Sequence, residues 1–284
     1  MQPVKIALLQ CNFRSAFDET IPSIARVAGP RSAMTPDDLR FNHELLISQA
    51  REAAAMGAKL LVTPESYLDG WSFDASIMER TAMTIPGPRI DELVRLSAEL
   101  VVWMLVAVMV KTDRGLYNAC VVIDDRGQIR TIYYKTHETK AVLKRMPYVL
   151  GEELPVFETP WGRAGVLICH DRWYPEAVRT LRRRGAEMIF NPTAAAAFSP
   201  DHPYSDIHQS VLRSHAYLNG IFFASCNGAN HGGHSLVIAP DGQVIARGLA
   251  EQQIVLADLD PAAHGSYDFV SNLREGLYQI QLSS

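Results

Sequence analysis

The sequence predicts a layered α/β fold built around a mixed β-sheet. Segments with strand composition alternate with segments of helical periodicity through most of the 284 residues, and this alternation is typical of α/β packing. Hairpins interrupt the alternation, so we expect antiparallel as well as parallel strand pairs. No linker-like or low-complexity stretch divides the chain, and we therefore predict a single domain over residues 1–284.

The first half of the chain predicts a strand, a capped helix and a later hairpin. Thr35 is a candidate N-cap because a proline and two acidic residues follow it, and Gly57 is a candidate C-cap. The turn sequence Asp-Asp-Arg-Gly at 124–127 predicts the hairpin. The predicted elements are strand 5–11, helix 36–56, strand 59–63, helix 90–100 and strands 101–111, 118–123 and 128–134. Residues 12–34 contain no recognisable element and are expected to form a loop.

The second half continues the alternation and adds another hairpin. A Pro-Asp-Gly sequence at 240–242 predicts the turn between its two strands. The predicted elements are strand 163–169, helix 175–184, strand 187–190, helix 205–218 and strands 221–226, 235–239, 243–247 and 254–260.

Composition argues against several classes of function. The net charge of −4 gives no sign of a nucleic-acid partner. The longest apolar run, 100–110, is too short to cross a bilayer, and the first residues do not resemble a signal peptide. Four scattered cysteines lack CxxC or metal-ligand spacing, so we expect no disulfide framework, no metal and no cofactor. These features predict a cytoplasmic protein without a membrane partner.

Three reactive side chains follow predicted strands, and strand ends are where α/β sheets present catalytic groups. Glu65 follows strand 59–63, Lys135 follows strand 128–134, and Cys169 ends strand 163–169. Backbone N–H groups at a strand-to-helix turn can form an oxyanion hole, a nearby cation lowers a thiol pKa, and a carboxylate can take the thiol proton. The three residue types therefore suffice for covalent acyl transfer, although their spacing does not show that they meet.

The other three cysteines are predicted to be structural. Cys11, Cys120 and Cys226 lie in or beside apolar predicted strands, where a free cysteine usually acts as a small buried apolar group.

The motifs around the reactive residues resemble the three catalytic motifs of the nitrilase superfamily of carbon–nitrogen hydrolases, in their usual order. The motifs are Pro64-Glu65, Lys135-Thr136-His137 and the stretch GVLICHD at 165–171. Further matches are Phe-Asn-Pro at 190–192 and His-Ser at 234–235, and the resemblance extends from the first strand to about residue 260. The stretch 169–176 is more similar to the carbamoylase and amidase branches than to the nitrilases proper.

The resemblance implies an α-β-β-α sandwich with mixed sheets that pairs through helices into a homodimer or higher homo-oligomer. It implies hydrolysis of a small amide, N-carbamoyl compound or nitrile through a cysteine thioester. By position, Glu65 would be the general base, Lys135 would stabilise the anionic intermediate, and Cys169 would be the nucleophile. The backbone N–H of His170 would be an oxyanion donor, and Asn191 would contribute to substrate binding.

Arg172, three residues after the cysteine, has two interpretations. In the carbamoylase branch an arginine at the matching place resembles a carboxylate clamp, and a guanidinium can hold a carboxylate through two parallel hydrogen bonds. Alternatively, Arg172 pairs with a neighbouring acid such as Asp171 or Glu176 and only holds the turn.

One departure from the family pattern concerns a second glutamate. The family commonly places it several residues before the glycine that corresponds to Gly151, but residues 143–150 contain no acid. Glu138 is a candidate substitute, although the resemblance does not support it. The gap leaves open a catalytically impaired binding protein on the same scaffold.

A second alternative is a Cys–His hydrolase of another class. Its base would be His137, His208 or His215, and it would tolerate Glu65→Gln. The sequence contains no G-x-S-x-G elbow, phosphate-binding loop or dinucleotide-binding glycine pattern that would support a further class.

Overall fold

The computed structural model describes residues 1–16, 34–72, 74–146, 148–195, 200, 202–274 and 277. Most of the predicted loop 12–34, namely residues 17–33, lies outside the described residues.

In these ranges, twelve strands form two six-stranded sheets. In chain order the strands are β1 (Val4–Gln10), β2 (Leu60–Val62), β3 (Trp103–Thr112), β4 (Gly115–Ile123), β5 (Ile129–Tyr134), β6 (Val156–Thr159), β7 (Gly162–Val166), β8 (Met188–Thr193), β9 (Phe222–Asn227), β10 (Leu236–Ile238), β11 (Val244–Arg247) and β12 (Gln253–Leu259). The first sheet has the order β12-β1-β2-β3-β4-β5, and the second has the order β11-β10-β9-β8-β7-β6.

Both sheets are mixed, as the sequence predicts. In the first, β1, β2 and β3 run parallel, whereas β12, β4 and β5 join by antiparallel pairing. In the second, β7, β8 and β9 run parallel, whereas β6, β10 and β11 join by antiparallel pairing. Each sheet therefore has a parallel centre, and the ends of the central strands lie at one edge, where reactive side chains can gather.

Six α-helices are present in the described ranges, namely α1 (Pro36–Ala55), α2 (Ala75–Thr81), α3 (Pro88–Leu100), α4 (Lys140–Arg145), α5 (Pro175–Arg183) and α6 (Ser205–Asn219). Four of them, α1, α3, α5 and α6, pack on the outer faces of the two sheets. Leu46 of α1 and Leu93 of α3 share a buried apolar cluster with Leu61 of β2. Leu181 of α5 and Leu212 of α6 pack in a cluster that also contains the facing strands of both sheets.

The order of layers is helix, sheet, sheet, helix, which confirms the predicted α-β-β-α sandwich. Residues of opposite strand parity point to opposite faces: on β1, Ile6 and Leu8 face the second sheet whereas Ala7 and Leu9 face the helices. Both faces of the sheets are therefore apolar, which explains the nearly continuous hydrophobic runs of the central strands.

The predicted caps of α1 are also confirmed. Thr35 Oγ1 accepts a hydrogen bond from Asp38 N–H at 3.2 Å, and Asp38 Oδ2 accepts from Thr35 N–H at 3.1 Å. This reciprocal pair is a capping box, which stabilises a helix start. Gly57 has a φ of +88°, the left-handed conformation expected just after a helix.

The predicted strand 163–169 is wrong at its end. The strand β7 stops at Val166, and a 3₁₀ helix spans Cys169–Trp173. Ile168 N–H donates to Asp171 Oδ2 at 2.8 Å, so the backbone leaves the ladder before the cysteine. The short elements β6, α2 and α4 were not predicted, because four to seven residues carry too little periodicity to be recognised.

No helix in the described part of the chain is both long enough and apolar enough to cross a membrane.

Candidate active site

The structure brings Glu65, Lys135 and Cys169 together. Lys135 Nζ donates to Glu65 Oε1 at 2.9 Å, and the side chains of Lys135 and Glu65 are 3% and 1% exposed. The charges of Glu65 and Lys135 both act on the pKa of the Cys169 thiol, so the sulfur lies in their immediate field. The fold therefore brings together three residues whose sequence spacing alone does not show that they meet.

Glu65 reaches this place through a link between the two sheets. After β2, Thr63 Oγ1 accepts from Ala107 N–H of β3 at 2.9 Å, which extends the pairing beyond the strand. Glu65 N–H then donates to Thr193 O, at the end of β8 in the other sheet, at 3.3 Å. The carboxylate therefore stands where the ends of both sheets meet.

Cys169 sits at the start of residues 167–173, which we call the nucleophile turn. Its φ is +43°, a left-handed conformation that is uncommon outside glycine and costs conformational energy. Asn191 Nδ2 donates to Leu167 O at 2.7 Å and fixes the beginning of the turn. The strained backbone is held by its surroundings, a pattern that clusters at functional sites.

Burial and the charge of Glu65 raise the pKa of the Cys169 thiol. The positive charges of Arg172 and Lys135 and a hydrogen bond with Thr193 oppose that rise without cancelling it. The cysteine therefore rests as a thiol beside a carboxylate, and it becomes a strong nucleophile when a base takes its proton.

Asp171 joins the nucleophile turn to residues 135–139, which we call the lysine loop. One carboxylate oxygen accepts from Ile168 N–H at 2.8 Å and from Tyr133 OH at 2.7 Å. The other accepts from His137 N–H at 2.7 Å and from Thr136 Oγ1 at 3.1 Å. Asp171 is fully buried, and these donors explain how a buried carboxylate is tolerated.

Glu138 supplies a second carboxylate to the site. Its Oε2 accepts from Lys135 Nζ at 2.6 Å and from Tyr148 OH at 2.9 Å, and its Oε1 accepts from Thr139 N–H at 2.8 Å. The structure thus places a carboxylate against Lys135 from inside the lysine loop, although residues 143–150 contain no acid. The observation that motivated an impaired protein therefore loses its force.

Lys135 is a buried ammonium between two carboxylates. Burial lowers its pKa, but the negative charge of Glu65, supported by that of Glu138, outweighs burial and holds the pKa well above the usual value. Burial likewise raises the pKa of Glu138, and the charge of Lys135 outweighs it, so that the pKa is lowered. Lys135 stays cationic throughout the neutral range.

Arg172 lies beside the nucleophile and is engaged with the protein. Its NH1 group donates to Cys169 O at 2.8 Å and to Thr193 Oγ1 at 2.9 Å, and it lies 3.5 Å from Cys169 Sγ. Its NH2 group lies 3.3 Å from His208 Nδ1. A substrate carboxylate held by both NH groups would have to share or displace these contacts.

The side chain of Asn191 is engaged with the protein. Asn191 is fully buried, its Nδ2 donates to Leu167 O, and its Oδ1 accepts from Ser225 Oγ at 2.9 Å. Both ends of the amide thus bond to protein groups. These contacts hold the nucleophile turn in place, and the predicted role of Asn191 in substrate binding stays a prediction.

The candidate histidine bases make other contacts. His137 Nδ1 lies 3.1 Å from Asp171 Oδ1, and His215 Nε2 lies 2.7 Å from Arg172 O. Burial, helped by the charge of Arg172, lowers the pKa of His208 to about 3. Among the described residues no histidine hydrogen-bonds to Cys169 Sγ, which disfavours a Cys–His hydrolase.

His170 is half-buried, and burial lowers its pKa. No hydrogen bond joins its backbone N–H to another described residue. This N–H, next to the sulfur in sequence, can serve as an oxyanion donor.

Sequence reasoning missed three polar residues of the site. Asn118 Nδ2 donates to Glu65 Oε1 at 2.7 Å, Tyr148 bonds to Glu138, and Thr193 contacts Arg172 and Glu65. Thr193 ends the apolar strand β8, and Asn118 opens the predicted apolar strand 118–123, although in the structure it lies inside β4; these positions are the signal that could have found them. Tyr148 carries no such signal.

Asp69 is a further buried carboxyl near the site. Its Oδ1 accepts from Met109 N–H of β3 at 2.9 Å. Burial raises the pKa of Asp69 to about 7; the Met109 hydrogen bond opposes the rise and the charge of Glu65 adds to it. Within the described ranges, no group of three or more His, Cys, Asp or Glu side chains is arranged to hold a metal ion.

The fold and this constellation define a carbon–nitrogen hydrolase. The family model described as carbon-nitrogen hydrolase matches residues 5–269, and the chain belongs to that family. It is therefore an enzyme that hydrolyses carbon–nitrogen bonds, as the resemblance implies.

Curated relatives include amidases of several kinds. The chain is 25% identical to a probable nitrilase of Schizosaccharomyces pombe, covering 91% of this chain and 99% of the relative. It is 27% identical to an N-carbamoylputrescine amidase of Arabidopsis thaliana, covering 87% and 92% of the two chains. It is 28% identical to an omega-amidase of Homo sapiens, covering 74% and 79%.

Solved structures share the fold. Saccharomyces cerevisiae Nit3, described as a member of branch 10 of the nitrilase superfamily, superposes with a TM-score of 0.75 at 20% identity, covering 99% of this chain and 96% of Nit3. An amidase of Nesterenkonia sp. AN1, with the acetamide moiety of fluoroacetamide added covalently at its active-site cysteine, superposes with a TM-score of 0.74 at 22% identity, covering 96% and 95%.

Proposed function

We propose that this enzyme hydrolyses a small amide or N-carbamoyl compound through a thioester on Cys169, with Glu65 as general base and Lys135 as electrostatic stabiliser. The observation that carries the proposal is the buried Glu65–Lys135 pair, joined at 2.9 Å, whose charges act on the thiol. A thiol, a base and a fixed cation are the components that acyl transfer needs.

Acylation begins with transfer of the thiol proton to Glu65. The sulfur then attacks the carbonyl carbon, a C–S bond forms, and the carbonyl π electrons move to oxygen. When the tetrahedral intermediate collapses, the C–N bond breaks and the proton on Glu65 passes to the leaving nitrogen. Ammonia or an amine departs and leaves a thioester.

In deacylation, water takes the place of the thiol as the attacking group, and Glu65 repeats its two roles. Glu65 takes a proton from water as the oxygen attacks the thioester carbon, and collapse breaks the C–S bond. The acid leaves, and the proton returns to the sulfur. One carboxylate thus serves as base and as acid in both halves, and the cycle uses no cofactor.

The developing oxyanion is stabilised by Lys135 and by the backbone N–H of His170. Lys135 is suited to this role because Glu65 and Glu138 hold it cationic inside the protein, so its charge needs no reorganisation during the reaction. Glu138 and Tyr148 orient the ammonium from the side opposite Glu65.

The contacts of Arg172 favour a role in holding the nucleophile turn over a role in binding a substrate carboxylate. Its NH1 group already donates to Cys169 O and Thr193 Oγ1, and its charge lowers the thiol pKa against burial. We therefore infer that Arg172 holds the turn. The alternative is a carboxylate clamp, which would restrict the substrates to N-carbamoyl acids. The effect of Arg172→Leu on an acid substrate and on its uncharged amide analogue distinguishes the two roles.

We also infer a homodimer built on α6 and the segment that follows β12. α6 exposes Ile207, Tyr217 and Leu218, and Tyr217 packs against Tyr267 and Phe269, which are exposed as well. Contiguous exposed apolar side chains of this kind mark association surfaces, and the family pairs through helices. We further infer that residues 1–284 act as one domain in the cytoplasm.

Turnover measurements on three substrate classes test the proposal. Release of ammonia or amine is measured with an N-carbamoyl amino acid, a primary amide and a nitrile, in the native enzyme and in Cys169→Ala. Hydrolysis of at least one class that vanishes in Cys169→Ala, with Cys226→Ala as a matched cysteine control that retains activity, supports the assignment. Near-normal turnover by Cys169→Ala would overturn it.

A further inference from the structure

Asn118 touches both of the charged groups that are proposed to act with Cys169. Its side-chain Nδ2 donates to Glu65 Oε1 at 2.7 Å. Its backbone oxygen accepts from Lys135 N–H at 2.8 Å. Glu65 follows β2 and Lys135 follows β5, and β4 lies between these two strands in the sheet order β2-β3-β4-β5. Asn118 therefore stands between the segments that present the carboxylate and the ammonium.

The two donors meet on the same carboxylate oxygen. Asn118 Nδ2 and Lys135 Nζ both donate to Glu65 Oε1, at 2.7 Å and 2.9 Å. Among the described residues, no hydrogen bond reaches Glu65 Oε2. Two donors from different directions fix the rotation of the carboxylate and leave Oε2 as the oxygen that can accept a proton.

The side-chain oxygen of Asn118 indicates that a contribution to folding stability does not account for an asparagine at this position. Asn118 is 2% exposed, and its Oδ1 accepts no hydrogen bond within the described ranges. A buried acceptor without a donor lowers stability, and an apolar side chain of similar size would avoid that loss. Turning the amide over would aim Oδ1 at a carboxylate oxygen, which repels it.

We propose that Asn118 is a positioning residue that anchors Glu65 by Oε1 and leaves Oε2 to take the thiol proton of Cys169. This inference rests on the proposed role of Glu65 as general base. A donor to a carboxylate stabilises its charged form, and a fixed orientation avoids reorganisation during proton transfer. The Asn118 N–H proton stays on nitrogen throughout.

Alkylation of Cys169 by iodoacetamide tests this inference without a known substrate. In that reaction a C–S bond forms, iodide leaves and the thiol proton passes to the base. The rate at Cys169 is measured by peptide mass spectrometry across pH in the native enzyme, Asn118→Leu, Glu65→Gln and Asn219→Leu. Asn219 is the matched control, because its buried Nδ2 donates to His215 O at 2.8 Å and its Oδ1 likewise accepts no hydrogen bond in the described part of the chain.

Asn118→Leu is expected to move the acid limb of the rate profile upward by about one pH unit, so that the rate at a pH on that limb is about tenfold slower than in the native enzyme. Its melting temperature should stay close to that of the native enzyme, because the lost hydrogen bond to Glu65 and the removed unpaired Oδ1 have opposite effects on stability. With a hydrolysed substrate, kcat should fall while KM stays unchanged. Asn219→Leu should keep the native rate profile.

A native rate profile in Asn118→Leu, alongside a slowed Glu65→Gln, would overturn the inference and leave the role of Glu65 intact. Native profiles in both variants would instead overturn the proposed base itself, and the inference with it. If Asn118→Leu does not fold, Asn118→Asp keeps the shape of the side chain. Two adjacent carboxylates compete for one charge, so its acid limb should move further upward, and an unmoved limb would again overturn the inference.

Discussion

Replacing Glu138 by glutamine removes one negative charge from the site while keeping the shape of the side chain. In the native protein, Oε2 accepts from Lys135 Nζ and Tyr148 OH, and Oε1 accepts from Thr139 N–H. Glutamine has a single oxygen. The NH₂ group of the glutamine must therefore face either Thr139 N–H or the pair of donors Lys135 Nζ and Tyr148 OH. In either orientation at least one of these donors loses its acceptor.

The expected loss of folding stability depends on the partners that Lys135 keeps in the variant. A hydrogen bond to a charged group contributes about 1.5–3 kcal/mol, and breaking a buried ion pair outright costs about 3–5 kcal/mol. Because Glu65 remains as a partner of Lys135, we expect a loss of about 3 kcal/mol. This corresponds to a melting temperature lower by roughly 6–12 °C. Separately, a Lys135 ammonium that is no longer held in place would stabilise the oxyanion less well, so we expect the acylation rate to fall about 10²-fold.

The stability loss should depend on pH with a definite sign. The charge of Lys135, against the opposing effect of burial, lowers the pKa of Glu138 below its ordinary value of 4.5. The contribution of ionised Glu138 is therefore present above that value and disappears as pH falls through the lowered pKa. The stability difference between the native enzyme and Glu138→Gln should shrink on acidification.

Thermal unfolding and single-turnover acylation measure these effects, with Glu152→Gln as the control. Glu152 is exposed and opens the acidic stretch after Gly151, so its variant should behave as the native enzyme. Native acylation and melting in Glu138→Gln would refute the reasoning, because the lysine would then need no second carboxylate.

Three further predictions address other parts of the site. Arg172→Leu should slow an N-carbamoyl amino acid and its uncharged amide analogue equally; a penalty confined to the acid, of about 1.5–3 kcal/mol, would instead establish a carboxylate clamp. Because burial raises the pKa of Asp69 from 3.8 to about 7, the folded state holds that proton more tightly and native stability should fall as pH rises between these values. Asp69→Asn should remove this dependence and gain up to about 4 kcal/mol above pH 7 in urea unfolding, whereas parallel curves for the two proteins would contradict it. His208→Gln should keep the turnover rate within tenfold of the native rate. A loss as large as that of Glu65→Gln would instead support a Cys–His mechanism.

The central strands and the three reactive side chains could be predicted because local pattern determines them. An apolar run of five to ten residues predicts a buried strand, and a polar residue at its end predicts a group presented at the sheet edge. Glu65 and Lys135 follow β2 and β5, as predicted, and Cys169 follows β7 after two more residues. The family motifs then indicated that the three meet.

The supporting groups could not be predicted, because their partners are distant in sequence. Glu138 matters through a turn of the lysine loop that brings it back to Lys135, and no periodicity marks such a turn. Asn118 and Glu65 are 53 positions apart. Asn191 is a similar case, since only the structure shows that Ser225 and Leu167 occupy its amide.

Mass spectrometry of the acylated enzyme tests the central claim, that Cys169 is the nucleophile, most directly. The enzyme is mixed with an N-carbamoyl amino acid, a primary amide or a nitrile, quenched in acid during the first turnover and digested. The account predicts an acyl mass on the peptide that contains Cys169, with Cys11, Cys120 and Cys226 unmodified and no adduct in Cys169→Ala. An adduct on another residue, or multiple turnover without any adduct on Cys169, would contradict it.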